Sequence, residues 1–300
     1  MNKTIRMGLV MVLGALGSEA EAGIEVWTSH SLDKSFPDTF KPERAAAAIS
    51  LKAARNEAED AQVLIRTPKD VEVTQARFAL PDLDGPNGAR IPRANLSAAW
   101  VWYTYVLNNP KDNTDPTTYL RKAPAFFPDA FLEEPVICIR DEWTQPLWVT
   151  VRVPKETPAG DYVGTLGIDL TLYTREQLHF DVPVSITVWA FTLPDEGHLR
   201  HTEWFWPQSL ADYYHIESWS EEHWKWIARV AEDMGRHRQD TILTPLADLV
   251  DLKQDPAGTI TADFTRLDRW VETFRGAGVS WIEGGQIGRA SCRERVFGLV

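Results

Sequence analysis

Residues Val182 to Gln208 read VPVSITVWAFTLPDEGHLRHTEWFWPQ, and this stretch decides the fold. It opens with strict apolar alternation at Val182, Val184, Ile186 and Val188, the period of a strand with one buried face. Pro194, Asp195, Glu196 and Gly197 then break the pattern as a linker does. The run that follows, Leu199 to Trp206, carries Trp204, Phe205 and Trp206 and stops at Pro207. Upstream of this seam the chain reads as strands and turns. Downstream, helical and strand-like runs alternate. The fold class expected is therefore a multidomain β then α/β chain: an N-terminal β-sandwich followed by the truncated start of a (β/α)₈ barrel.

Upstream, β-like runs fall at Ala45 to Leu51, Ala58 to Ile65, Val71 to Leu80 and Ala98 to Leu107. Trp148 to Val153, Tyr162 to Leu172 and Leu178 to Trp189 continue them, and Pro154 to Asp161 has the form of a long hairpin connection. Asn108 to Pro128 is polar and reads as a long surface loop, a class that is often functional. Downstream, Ser220 is placed to cap a helix whose face is Trp224, Ile227, Val230, Ala231 and Met234. Gln239 to Pro245 reads as a strand, Asp263 to Ala277 as a second helix built on Leu267, Trp270, Val271 and Phe274, and Val279 to Glu283 as a third strand. The order is βαβαβ. A complete barrel needs about 250 residues, far more than follow the seam.

Composition narrows the partners. The net charge of −12 excludes a basic stripe for nucleic acid and disfavours an anionic membrane surface. Thirteen Trp in 300 residues supply flat faces suited to sugar rings, although Trp is also a large core residue. Two Cys cannot build a disulfide framework, and Cys138, inside the apolar run Pro135 to Ile139, is expected to be a buried thiol. Lys3 and Arg6, the apolar Met7 to Leu16, and Ala20-Glu21-Ala22 form a secretory signal pattern with cleavage after Ala22. The expected product is secreted or periplasmic, with no membrane insertion; an uncleaved N-terminal anchor is the competing reading. Expected segments are thus 1–22 signal peptide, 23–193 sandwich, 194–198 linker and 199–285 partial barrel. From Gln286 the sequence turns basic and aperiodic. Gln286 to Ala290 back-translates to a string resembling a sequencing-library adapter, so 286–300 reads as an assembly artefact.

Barrel chemistry sits at the carboxyl ends of strands, here Trp204 to Trp206, Thr244 to Leu246 and Glu283 to Gly285. The candidate substrate-binding residues are Trp204, Trp206, His201 and Glu283. A Glu203/Glu283 carboxylate pair fits the two-carboxylate scheme of glycosidases, but strand alternation can point Glu203 away. His198-x-x-His201 lacks a third ligand, so no metal and no cofactor is expected. Arg236 to Asp240 falls between helix and strand, the stability face of a barrel. Nucleophile elbows, phosphate loops and dinucleotide fingerprints are absent from the sequence.

Several stretches resemble one known group. These are Val26 to Lys34, Ala54 to Gln62, Pro158-Ala159-Gly160-Asp161-Tyr162-x-Gly164, Val188-Trp189-x-Phe191-x-Leu193-Pro194, Trp219 to Trp224, and Ile282 to Gly285. The chain resembles glycoside hydrolase family 123, the bacterial β-N-acetylgalactosaminidases, together with uncharacterised relatives sharing the barrel domain. The likeness implies a sandwich followed by a barrel, and a glycan partner containing N-acetylhexosamine. It also implies retaining, substrate-assisted catalysis: the sugar's 2-acetamido oxygen attacks the anomeric carbon, an Asp orients it, and the adjacent Glu is the acid/base. Asp141-Glu142 and Asp195-Glu196 are the Asp-Glu pairs here, in the sandwich and the linker, and neither matches; no catalytic residue is assigned. The resemblance therefore implies an exported glycosidase whose 300-residue form is inactive. The alternatives are a non-catalytic glycan-binding module, with the sandwich and its 108–128 loop holding sugar, and a surface structural protein.

Overall fold

The computed structural model describes residues 23–109 and 119–284. The signal pattern, part of the 108–128 loop and the basic tail lie outside them. Two compact units meet in the sequence between Leu193 and Pro194, a β-rich unit and an α/β unit.

The first unit is two sheets on one core. One sheet holds β1 (Glu25–His30), β3 (Ala58–Arg66), β10 (Thr144–Arg152), β7 (Leu96–Val106) and β8 (Ala125–Phe131) in that order. The other runs β2 (Ile49–Arg55), β12 (Gln177–Thr192), β11 (Gly160–Leu172), β4 (Val73–Ala79), β9 (Ile137–Ile139). The short β5 (Leu83–Asp84) pairs with β11, and β6 (Arg90–Ile91) pairs with β5. Alternate residues of both sheets fill the space between them, including Val63, Trp100, Val149, Leu166, Val184 and Ile186. The alternation read from Val182 to Val188 is this inward face.

Four expectations change. Pro154 to Asp161 is not a hairpin, because β10 and β11 belong to different sheets. The connection crosses between them, held by Arg55 Nε donating to the Thr157 carbonyl at 2.7 Å and by Tyr162 Oη donating to Pro158 at 2.8 Å. Asn108 to Pro128 is not all loop, since Ala125 already pairs with Val106. The second strand begins at Ile49 rather than Ala45, where parallel pairing with β12 from Val184 fixes it. Cys138 is exposed rather than buried. It sits on the edge strand β9 with Ile139 turned inward, and its thiol donates to the Thr74 carbonyl at 3.1 Å.

The stretches that carried the family likeness explain themselves as scaffold. Asn56, at φ 62, turns the chain so that its amide donates to the Leu193 carbonyl at 2.9 Å, while Arg55 accepts from the Leu193 N–H at 3.0 Å. This clasp secures the last residue of the first unit. Gly160 has φ +140, and a Cβ on Gly164 would stand 2.7 Å from the Asp82 carbonyl oxygen. That approach is closer than any real Cβ contact allows.

In the second unit a three-stranded parallel sheet, β13 (Thr202–Glu203), β14 (Thr241–Thr244) and β17 (Trp281–Gly284), has β14 at its centre. Parallel neighbours require crossover connections. The first carries α1 (Pro207–Tyr214) and α2 (Glu221–Arg236); the second carries α3 (Leu246–Leu249), the hairpin β15 (Asp251–Gln254)/β16 (Ile260–Asp263) and α4 (Thr265–Gly276). Ser220 caps α2 by accepting from the His223 N–H, and Glu221 and Glu222 follow in the first turn, where the helix dipole favours anions. Glu221 also takes a two-pronged ion pair from Arg269 of α4 at 2.6 and 2.8 Å. Trp224, Ile227 and Ala231 of α2, Ile242 of β14, and Trp270 and Phe274 of α4 make the unit's core. Among the described residues no helix is long and apolar enough to cross a membrane.

Replacing Gly164 by Ala should lower the stability of the first unit by about 1–3 kcal/mol through overpacking. Urea unfolding followed by circular dichroism reads this; an unchanged midpoint would show that the close approach is not needed.

Candidate functional site

Ligands of open α/β sheets bind beyond the carboxyl ends of the strands. The register puts Thr202, Thr241 and Trp281 level with one another, then Glu203, Ile242 and Ile282, then Leu243 and Glu283. Ile242 is fully buried in the helix-side core, so its row faces the helices. Position 283 pairs with Leu243, in the row opposite Ile242. Glu283 is exposed on the row away from the helices, one residue short of the strand's carboxyl end.

The run after β13 alternates in the same way. Phe205 turns inward, stacking on Trp270 at 6.0 Å between centroids and 15° between planes, with Phe274 at 6.4 Å. Its neighbours turn out: Trp204 is 67% exposed and Trp206 57%. Their rings meet edge to face at 6.3 Å and 90°. Trp204 leaves the strand at the level of Leu243 and Glu283, so the structure brings Trp204, Trp206 and Glu283 to the carboxyl end of the sheet. An exposed pair of indoles can hold the apolar face of a ring, with the Glu283 carboxylate across the central strand as an acceptor for its hydroxyls.

His201 lies elsewhere, before β13, at the amino end of the strands. Its backbone N–H donates to Asp240 Oδ1 at 2.9 Å. Asp240, buried just ahead of β14, also accepts from Thr241 Oγ1 at 2.7 Å and from Arg200 Nη1 at 3.0 Å. The Arg200 guanidinium lies 4.2 Å over the Trp281 ring, and the Asp240 carbonyl accepts the Trp281 N–H. Asp240 thus ties the starts of all three strands, its carboxylate holding His201 ahead of β13 and Thr241 of β14 and its backbone carbonyl holding Trp281 of β17. Burial pushes the Asp240 carboxyl up, but the donors from His201, Thr241 and Arg200 outweigh it and hold the group below its ordinary range. Beside it, a cleft of about 30 Å³ holds the buried, unpartnered Oε1 of Gln239. The sequence placed Asp240 in a stability segment and Phe205 in an aromatic run, but not as the tie of the strands or the inward ring. The alternation Trp-Phe-Trp was a usable signal for Phe205, whereas nothing local marks Asp240 as the tie of three strands. Among the described residues no three His, Cys, Asp or Glu side chains gather as a metal site, His198 and His201 included.

The glycoside hydrolase 123 N-terminal domain matches residues 28–170, and the glycoside hydrolase 123 catalytic domain matches residues 204–283. The chain belongs to glycoside hydrolase family 123. The catalytic-domain match runs from Trp204 to Glu283, the two ends of the candidate site. A family 123 glycoside hydrolase from Clostridium perfringens, studied for glycolipid glycan hydrolysis, has the same fold, with TM-score 0.66 at 15% identity. The likeness covers 85% of this chain and 46% of that one, so the chain spans less than half of that relative's length. Weaker likenesses include PapD-like domain 7 of human CEP192 (TM-score 0.33, 8% identity, 62% of this chain and 98% of that one). Another is a protein of unknown function from Porphyromonas gingivalis W83 (TM-score 0.29, 10% identity, 54% and 47%). No curated protein sequence matches the chain.

A depressed carboxyl stabilises the fold above its unfolded value and loses that contribution as pH falls through the folded one. Stability of the α/β unit should therefore decline below about pH 4, and Asp240→Asn should flatten that acid limb. At neutral pH, Asp240→Ala should cost about 2–3 kcal/mol. Thermal melts across pH read both, and an Asp240→Asn profile parallel to wild type would refute the tie.

Proposed function

We propose that this chain forms the substrate-contacting opening of the catalytic barrel of an exported glycoside hydrolase that acts on β-linked N-acetylhexosamine, N-acetylgalactosamine-like, by substrate-assisted retaining catalysis. The observation that carries the reading is the outward pair Trp204 and Trp206 at the carboxyl end of a parallel sheet, inside the stretch matched by the family's catalytic domain. The domains are read as a sandwich over 23–193, a linker over 194–198 and the (β/α)₈ opening over 199–285, with 286–300 foreign to the protein and 1–22 removed on export.

In this reading the indoles receive the apolar face of the sugar and Glu283 accepts from its hydroxyls. His201 drops out of the wall, because its position is at the other end of the strands. The attack belongs to the substrate's own acetamido oxygen, so the protein must orient that group and supply one acid/base. Among the described residues at this end of the sheet, Glu283 stands in the outward row as a candidate for that role. Asp141-Glu142 belongs to the first unit, between β9 and β10, and Asp195-Glu196 lies ahead of β13, so among the described residues no Asp-Glu pair is assigned the chemistry at this wall.

A second reading, glycan binding by the first unit, has one observation in its favour. A cavity of about 350 Å³ lies on the β7–β8 ribbon, with Phe127, Val106 and Leu120 beside Lys34, Thr104 and Asp129. That volume suits a small ligand.

The 300-residue chain should not turn over an aryl N-acetyl-β-galactosaminide, while N-acetylgalactosamine should change its tryptophan fluorescence. Trp204→Ala and Trp206→Ala should each weaken that binding by about five- to tenfold, and Phe127→Ala should leave it unchanged. Turnover by this chain would refute the placement of the chemistry. A loss confined to Phe127→Ala would favour the second reading.

A further inference from the structure

We propose that His223 is a positioning residue for Trp206, acting through the carbonyl of Pro207; the inference rests on the reading of Trp206 as a sugar contact. His223 is fully buried in the first turn of α2. Both of its ring nitrogens are committed. Nδ1 accepts the Trp219 N–H at 2.9 Å, so the ring proton resides on Nε2, which donates to the Pro207 carbonyl at 2.8 Å. The imidazole is therefore a neutral spacer of fixed tautomer between the approach to α2 and the first residue of α1.

The pinned carbonyl lies in the Pro207–Gln208 peptide plane; the fixed φ of Pro207 and its helical backbone relay that hold across the residue to the peptide it shares with Trp206. The Trp206 carbonyl in turn accepts the Ser209 N–H at 3.0 Å as α1 begins. On the other side of Trp206, Phe205 is fixed between Trp270 and Phe274. An exposed indole thus stands between two buried anchors. Its ring meets that of Trp204 at an edge, leaving more than half its surface to solvent. A side chain so exposed keeps one direction only if the backbone on both sides is held, and His223 is the polar half of that hold. Burying an imidazole is costly unless both nitrogens are satisfied, and here one of them is spent on the residue after the candidate contact.

The two bonds can be separated chemically. In His223→Gln the side-chain amide reaches the Nε2 position and keeps the donor to Pro207. In His223→Asn the shorter side chain reaches the Nδ1 position and serves Trp219 alone. The full chain is labelled with 5-fluorotryptophan, and the Trp206 signal is assigned by Trp206→Phe. The ¹⁹F signal of Trp206 should stay near its wild-type position in His223→Gln and should move or broaden in His223→Asn. The Trp270 signal should remain in place in both as the mark of an intact core. N-acetylgalactosamine binding should fall about fivefold in His223→Asn only. A Trp206 signal unchanged in His223→Asn, or displaced equally in both variants, would overturn the proposal. A displaced signal in a protein that binds no sugar even as wild type would uphold the positioning and refute the sugar reading. Should His223→Asn fail to fold, Trp206 in His223→Gln decides: a displaced signal there overturns the role of the Pro207 bond, and a retained one supports it.

Discussion

The second unit depends on one aromatic stack. Phe205 lies against Trp270 and Phe274, and those two rings also belong to the core that α2 and α4 share with β14. A strand of two residues has little ladder to hold it, so the inward ring after β13 does what further hydrogen bonds would do in a longer strand. Because side chains alternate, fixing Phe205 inward sends Trp204 and Trp206 outward. The proposed sugar wall is thus a by-product of core packing. At the opposite end Asp240 ties the three strands by polar contacts, through its carboxylate to His201 and Thr241 and its backbone carbonyl to Trp281, so the sheet is held by rings at one end and by polar bonds at the other.

The first unit shows why family likeness is weak evidence about substrate. The stretch from Pro158 to Gly164 ends the connection between sheets and begins β11, with Tyr162 buried and Gly164 pressed on a backbone carbonyl. Arg55 and Asn56 hold the end of β12. Trp27 of the opening stretch is core. The polar groups of these stretches, such as Gln62 donating to the His30 and Asp33 carbonyls and Ser29 hydrogen-bonded to Asp33, are spent on holding the chain's own turns. In the second unit, Trp219 to Trp224 behaves likewise, as cap, ion pair, buried imidazole and core indole.

Much of this was legible in the residues. Strong period-two runs became β3, β4, β7, β11 and β12, and the 3.6-residue spacing in α2 and α4 placed Trp224, Ile227, Ala231, Trp270 and Phe274 inside. What escaped was decided by partners distant in sequence. Ile49 rather than Ala45 opens β2 because β12 pairs there. Pro154 to Asp161 looks like a hairpin locally, and only the assignment of its flanking strands to different sheets makes it a crossing. Cys138 sits in an apolar run but on an edge strand, where one face has no cover. The short α1 and the β15–β16 hairpin are too brief for periodicity to mark. At the candidate site, the positions of Trp204, Trp206 and Glu283 at the carboxyl end of the sheet follow from the strand ends read in the sequence, whereas His201, near the tryptophans in sequence, falls at the amino end because two residues of strand intervene.

The proposed sugar wall, Trp204 and Trp206 held by Phe205, is best tested by a crystal structure of the chain soaked with N-acetylgalactosamine. The sugar's apolar face should lie against the two indoles, with a hydroxyl in hydrogen-bond reach of Glu283. Sugar seated on the β7–β8 ribbon, with the two indoles bare, would contradict it.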